Sequence, residues 1–204
     1  MEENSFVLFS LHCRLSHGTM NQTRKQGVLS MKKQVNAFDY AGDICKALSK
    51  GVLLTTKVGE KVNTMTIGWG HIGIEWSKPI FVAYVRETRY TKQMLESNGE
   101  FTVNIPYGPM DSKILGYCGT KSGRNTDKVA DCNLTLVDSD VVSVPGIKEL
   151  PLTLECKVIY KQKQDLSAIP GDILARYYPA DSNGFQDYHY VFYGEIVNAY
   201  LITD

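Results

Sequence analysis

Three separated stretches of this 204-residue sequence carry groups suited to gripping an anion beside a flat ring. The first is Asn63-Thr64-Met65-Thr66-Ile67-Gly68-Trp69-Gly70, a strand pattern that runs into a glycine-rich turn. Small residues and free backbone groups there let a planar molecule approach closely. A glycine-bearing corner of a barrel has the same composition, and this stretch alone does not separate the two. The second is Tyr84-Val85-Arg86-Glu87-Thr88-Arg89-Tyr90-Thr91. It sets two guanidinium groups and a hydroxyl at the start of a helix, where unpartnered amides and the positive end of the helix dipole attract anions. Solvated arginines at a strand end are the plain alternative. The third is Gly119-Thr120-Lys121-Ser122-Gly123-Arg124-Asn125-Thr126-Asp127-Lys128. Its cations, hydroxyls and flexible amides can form an anion-binding nest, although polar loops often share this composition.

Two phosphate motifs fail on inspection. Gly68-Trp69-Gly70-His71-Ile72-Gly73 spells G-x-G-x-x-G, but a dinucleotide fingerprint needs a helix to open there. The chain continues instead through Ile74-Glu75-Trp76-Ser77-Lys78-Pro79 into another strand pattern. Lys121-Ser122 matches the end of a P-loop, yet Thr120 stands where that motif demands glycine. Neither H-E-x-x-H nor G-x-S-x-G is present. The five cysteines, Cys13, Cys45, Cys118, Cys132 and Cys156, are scattered and never form C-x-x-C. They read as free thiols in a reducing cytoplasm, with neither a disulfide framework nor a metal site expected.

The elements that must position these stretches are short. Ile44, Ala47 and Leu48 predict a helix closed by Gly51. Strands are predicted over 52–57, 62–67, 80–85, 101–105, 152–161 and 190–201, with Gly59-Glu60 as a turn and Pro106 as a stop. Thr88 is expected to cap a helix running to Asn98 and ended by Gly99. Short helices follow, one capped by Asp111 and carrying Ile114 and Leu115, another over 126–132. Strands outnumber helices and do not alternate with them. The chain is therefore mainly β, a Greek-key β-barrel with peripheral short helices.

Composition agrees with one domain: 43% hydrophobic, 22% charged, with twelve Tyr and seven Phe favouring strands. Twenty-two basic residues balance 22 acidic ones, so no net field draws in nucleic acid or an anionic membrane, and anion recognition must be local. No apolar run approaches the ~20 residues of a membrane helix. The domain is expected over 34–204, and residues 1–33 are read as a disordered lead or an over-long gene start. The apolar stretch 6–13 follows Glu2 and Glu3, which does not fit a signal peptide, and Met20 and Met31 are alternative starts.

Taken together, Met65-Thr66-Ile67-Gly68-Trp69, the segment Tyr84 to Thr91, and Lys121-Ser122-Gly123-Arg124 with Asp127-Lys128 resemble the flavin reductase-like family, and within it the flavoredoxin branch. Asp187-Tyr188-His189 and Gly194-Glu195-Ile196 fit the same pattern, so the resemblance runs from about Phe38 to Leu201. It implies an FMN-binding split barrel and a homodimer with the flavin near the subunit interface. The strand Asn63, Thr64, Met65, Thr66, Ile67, Gly68 and Trp69 would border the flavin ring. Arg86, Thr91, Ser122, Gly123 and Lys128 would surround the phosphate, with Arg89, Tyr90, Lys121 and Arg124 nearby or facing solvent. His189 is the best candidate for a residue close to the redox centre. By the same resemblance, NADH or NADPH would reduce the flavin, which passes electrons to a small-molecule or protein acceptor. A flavoredoxin-type carrier that does not use NAD(P)H directly and a flavin-free binding module are the alternatives.

Overall fold

The computed structural model describes residues 31–203. Its strands are β1 (Met31–Gln34), β2 (Val52–Val58), β3 (Lys61–Ile67), β4 (Gly70–Glu75), β5 (Lys78–Arg86), β6 (Glu100–Ile105), β7 (Leu136–Val137), β8 (Gly146–Ile147), β9 (Leu152–Lys163) and β10 (His189–Thr203). Five helices interrupt them: α1 (Ala41–Leu48), α2 (Tyr90–Asn98), α3 (Lys113–Thr120), α4 (Lys128–Asp131) and α5 (Gly171–Tyr177). The main sheet runs β3-β2-β6-β9-β10-β5-β4, with β1 added to β10 and every pairing antiparallel. Its two end strands, β3 and β4, are joined through Gly68 and Trp69 alone, so the sheet has to curl until its ends approach. No ladder joins those ends among the described residues, so the curl is not closed by hydrogen bonds.

Strand alternation decides what lies inside. On β5, Phe81, Ala83 and Val85 enter the main core with Phe101 and Phe192, while Ile80 and Val82 face the other way, against Val191. Each fully buried ring of this kind contributes roughly 2–3 kcal/mol. β10 is long because it pairs with β1, β5 and β9, and two register shifts bend it against β9, at Tyr193/Gly194 and Ile196/Asn198. Gly194 is required at the first bend: a Cβ there would stand 2.4 Å from the Phe101 ring.

Several expectations need correction. Thr88 does not cap α2; Arg89 holds the cap position without a side-chain bond, and the Thr88 hydroxyl donates to Asp187 instead. The helix expected over 126–132 contracts to α4, because Asp127 accepts the amides of Val129 and Ala130 and fixes the start there. Gly70, expected in the glycine-rich turn, instead opens β4. That strand forms one arm of a hairpin with β5, turning through Trp76 and Ser77 at φ +50° and +57°. The lead drawn through residue 33 is too long, since Met31–Gln34 pair with the end of β10, helped by the Lys32–Asp140 ion pair at 2.6 Å. The rest of that lead, including the alternative start at Met20 and the stretch 6–13, lies outside the described residues. No helix among them is long and apolar enough to cross a membrane.

Candidate functional site

β3, the start of α2 and the loop between α3 and α4 meet around a cleft of about 200 Å³. Asn63 and Met65 line it from β3, Thr88, Arg89, Tyr90 and Thr91 from the start of α2, and Lys121, Ser122, Gly123, Arg124 and Lys128 from the loop. Four of these residues are cationic and none is acidic, in a chain whose 22 basic and 22 acidic residues balance overall. Two arginines clasp the walls together: Arg89 donates to the Gly119 carbonyl (3.4 Å), and Arg124 donates back to that of Thr88 (3.1 Å). With no side-chain cap on α2, the amides of Tyr90 and Thr91 find no acceptor among the described residues. Positive charge and free donors converge here, which is the composition of an anion site.

Two features of the cleft fit a phosphate in particular. Lys128 is 4% exposed, and its ammonium donates only to the carbonyls of Thr64 and Cys118, both at 2.9 Å. No carboxylate pairs with it among the described residues. Burial pushes its pKa down, and an anion in the cleft would supply the missing counter-charge and take its third N–H. The second feature is Asn63. Its Nδ2 donates to the Thr91 hydroxyl at 2.9 Å while its buried Oδ1 has no partner. Exchanging the amide oxygen and nitrogen lets Thr91 donate to Oδ1 and turns an N–H toward Gly123, where a bound anion would satisfy it. Gly123 is indispensable to this packing, because a Cβ would lie 1.9 Å from that Asn63 atom.

A cleft this small suits the phosphate end of a nucleotide and not a tricyclic ring. The remaining length of β3 leads away from it to Trp69, 39% exposed. The Trp69 ring centre lies 4.8 Å from that of His189 and 5.2 Å from that of Tyr177. His189 is buried, with Nδ1 2.8 Å from the Tyr178 hydroxyl. Gln164 Oε1 accepts from the His189 amide (3.3 Å) and from the Tyr178 hydroxyl (2.8 Å). The Tyr178 proton is thus directed to Gln164, so its oxygen receives the Nδ1 proton of His189. That tautomer leaves the Nε2 lone pair free. Burial, reinforced by the nearby Arg86 charge, lowers the His189 pKa to about 4, so the ring is neutral near pH 7.

The three stretches thus meet as expected, with exceptions residue by residue. Arg86 is not on the cleft: it donates to the carbonyls of Asp187 (2.5 Å) and Tyr177 (2.9 Å), so it ties down the segment before β10. The reason is strand alternation, which points Arg86 to the same face as Tyr84 and opposite His189 in register. On β3, the Thr64 side chain turns to Thr55 and Ile67 enters the core. The Thr66 hydroxyl bonds the Leu115 carbonyl and borders a separate cavity of about 760 Å³ between α1 and α3. Gln164, Tyr177 and Tyr178 were not anticipated. They sit in a segment with no hydrophobic period, and only their long-range contacts with His189 and Trp69 reveal them.

The sequence from 47 to 204 matches the family model described as the flavin reductase like domain. An uncharacterized protein of Archaeoglobus fulgidus is 33% identical over 135 residues, 65% of this chain and 75% of that one. The structure is similar to a flavoredoxin from Methanosarcina acetivorans, at 30% identity and TM-score 0.56, over 74% of this chain and 67% of that one. A second flavoredoxin, from Desulfovibrio vulgaris (Miyazaki F), is 25% identical with TM-score 0.55, over 74% and 68% of the two chains. The chain belongs to the flavin reductase-like family.

Proposed function

We propose that this protein binds FMN and acts as an oxidoreductase, taking a hydride from NADH or NADPH onto the flavin and passing electrons to a downstream acceptor. The observation that carries this reading is the acid-free, four-cation cleft with a buried, uncompensated Lys128 at one end of β3. Thr91, Tyr90, Ser122, Gly123, Arg89, Lys121, Arg124 and Lys128 hold the phosphate, and the backbone from Met65 to Trp69 borders the ring. When bound, the flavin supplies the hydride-accepting chemistry; the chain binds and orients it and shields it from water. His189 offers a neutral acceptor, Nε2, beside Trp69, and Arg86 ties down the 177–187 segment through the carbonyls of Tyr177 and Asp187.

The protein acts as a homodimer in the cytoplasm. Trp76, 57% exposed, stands near Tyr160 and Tyr193, with Ile74 and Ile159 exposed on the same strands. Such an aromatic patch is suited to burial against a second copy. A second reading, an FMN electron carrier fed by a protein donor, is favoured by the likeness to two flavoredoxins. Rapid mixing of the FMN-loaded protein with NADH or NADPH separates them. Bleaching of the flavin band on a catalytic timescale is expected; no bleaching with either nucleotide would overturn the reductase reading in favour of the carrier.

A further inference from the structure

We propose that Cys118 and Cys132 are a site of reversible disulfide formation, and that this bond pins the loop carrying the cation-rich wall of the cleft. The two residues bracket that wall in sequence: Lys121, Ser122, Gly123, Arg124 and Lys128 all lie between them. They also meet in space. Cys118, on α3, is buried in a small cluster with Ile114, Leu134 and Ile147, and Cys132, at the end of α4, packs against that cluster. The two thiols lie close enough for each to perturb the other's ionisation. Each cysteine also grips Lys128 through its backbone. The Cys118 carbonyl accepts from the Lys128 ammonium at 2.9 Å, and the Cys132 amide donates to the Lys128 carbonyl at 3.2 Å.

A covalent link between the sulfurs would therefore fix both ends of the loop, and Lys128 between them, in the arrangement that shapes the cleft. Burial pushes the Cys118 thiol up to about 12 and raises that of Cys132, so both are protonated near pH 7 and react slowly. Cys132 is the less buried and is the sulfur an oxidant reaches first. With hydrogen peroxide, its sulfur forms an S–O bond as the O–O bond breaks and one water leaves, giving the sulfenic acid. The Cys118 sulfur then forms the S–S bond as S–O breaks, and a second water leaves. Two thiols thus deliver two electrons and two protons to peroxide. Peroxide is also the two-electron product of dioxygen with a reduced flavin, so the protein's own flavin, on the function proposed above, supplies the oxidant.

The ligand half of this proposal rests on that function; the disulfide half does not. The test exposes reduced full-length protein to a few equivalents of hydrogen peroxide, then alkylates it and maps peptides without reductant. Expected are a Cys118–Cys132-linked peptide and, by fluorescence titration, FMN bound roughly tenfold more tightly through preorganisation of the loop. Cys132→Ser should give neither change, and a thiol reductant should reverse both. Recovery of both residues alkylated after peroxide would overturn the proposal, and so would a linked protein whose FMN affinity is unchanged. If neither state binds FMN, the functional reading fails, while the linked peptide still decides whether the pair forms.

Discussion

Lys128→Met removes the deepest charge of the cleft while keeping a side chain of similar length. In the free protein two opposing effects follow. The carbonyls of Thr64 and Cys118 each lose a bond from a charged donor, worth about 1.5–3 kcal/mol apiece. Against that, the cost of burying an ammonium with no carboxylate beside it, several kcal/mol, disappears. The two nearly offset, so unfolding of the unliganded protein should shift by no more than about 2 kcal/mol. Binding responds differently, because the third N–H of Lys128 is left over for the phosphate of the proposed ligand. Losing one such charge-assisted contact, at about 1.5–3 kcal/mol, weakens FMN by roughly 10- to 150-fold. Riboflavin has no phosphate, and its affinity should move by less than about threefold. Fluorescence titrations of both ligands against the native protein and the variant measure this directly. Equal losses for FMN and riboflavin, or an FMN affinity left intact, would refute the assignment of Lys128 to the phosphate.

Gly123→Ala forces a methyl to within 1.9 Å of Asn63 and must push that amide off Thr91, so FMN affinity should fall at least about tenfold by the same titration. Arg86→Ala should act elsewhere: limited proteolysis between residues 165 and 188 should accelerate, while FMN affinity changes by less than about threefold, because the guanidinium holds Asp187 and Tyr177 and not the cleft. His189 makes stability fall in acid. Its folded pKa of about 4 lies below the ordinary 6.5, so between those values the unfolded chain binds more protons than the native one. The contribution is complete above pH 6.5 and is lost as pH drops toward 4, amounting to roughly 2 kcal/mol after allowance for screening. Urea unfolding of the native protein and His189→Gln across that range should show the slope in the first and its loss in the second.

The cation-rich cleft proposed to hold the phosphate is legible in the sequence because its signals are local. The helix start at Arg89-Tyr90-Thr91 and a loop of hydroxyls, glycine and cations each advertise donors within a few residues, although the lack of a cap from Thr88 emerges only in the structure. Their meeting in one cleft follows once α2 and the α3–α4 loop flank β3. Arg86 was misplaced although strand alternation contains the answer: Val85 is in the core, so Arg86 must point outward with Tyr84, whereas Arg89 lies past the strand end. Gly70 belongs to β4 because it is crowded, not because it turns; a Cβ there would stand 2.8 Å from the Val82 carbonyl. A glycine required by a neighbouring backbone cannot be told from a turn glycine by its letter. The tautomer of His189 was out of reach too, since it depends on Gln164 and Tyr178, residues 25 and 11 positions away. β1 is a polar tetrapeptide that becomes a strand only because β10 offers it an edge.

The claim that a singly phosphorylated flavin occupies this cleft is tested most directly by the visible spectrum of the purified protein, followed by release and identification of any chromophore and by titration with FMN. Flavin absorbance bands, or their appearance on adding one equivalent of FMN, with FMN as the released species, are the predicted result. A colourless protein that takes up no FMN would contradict the account.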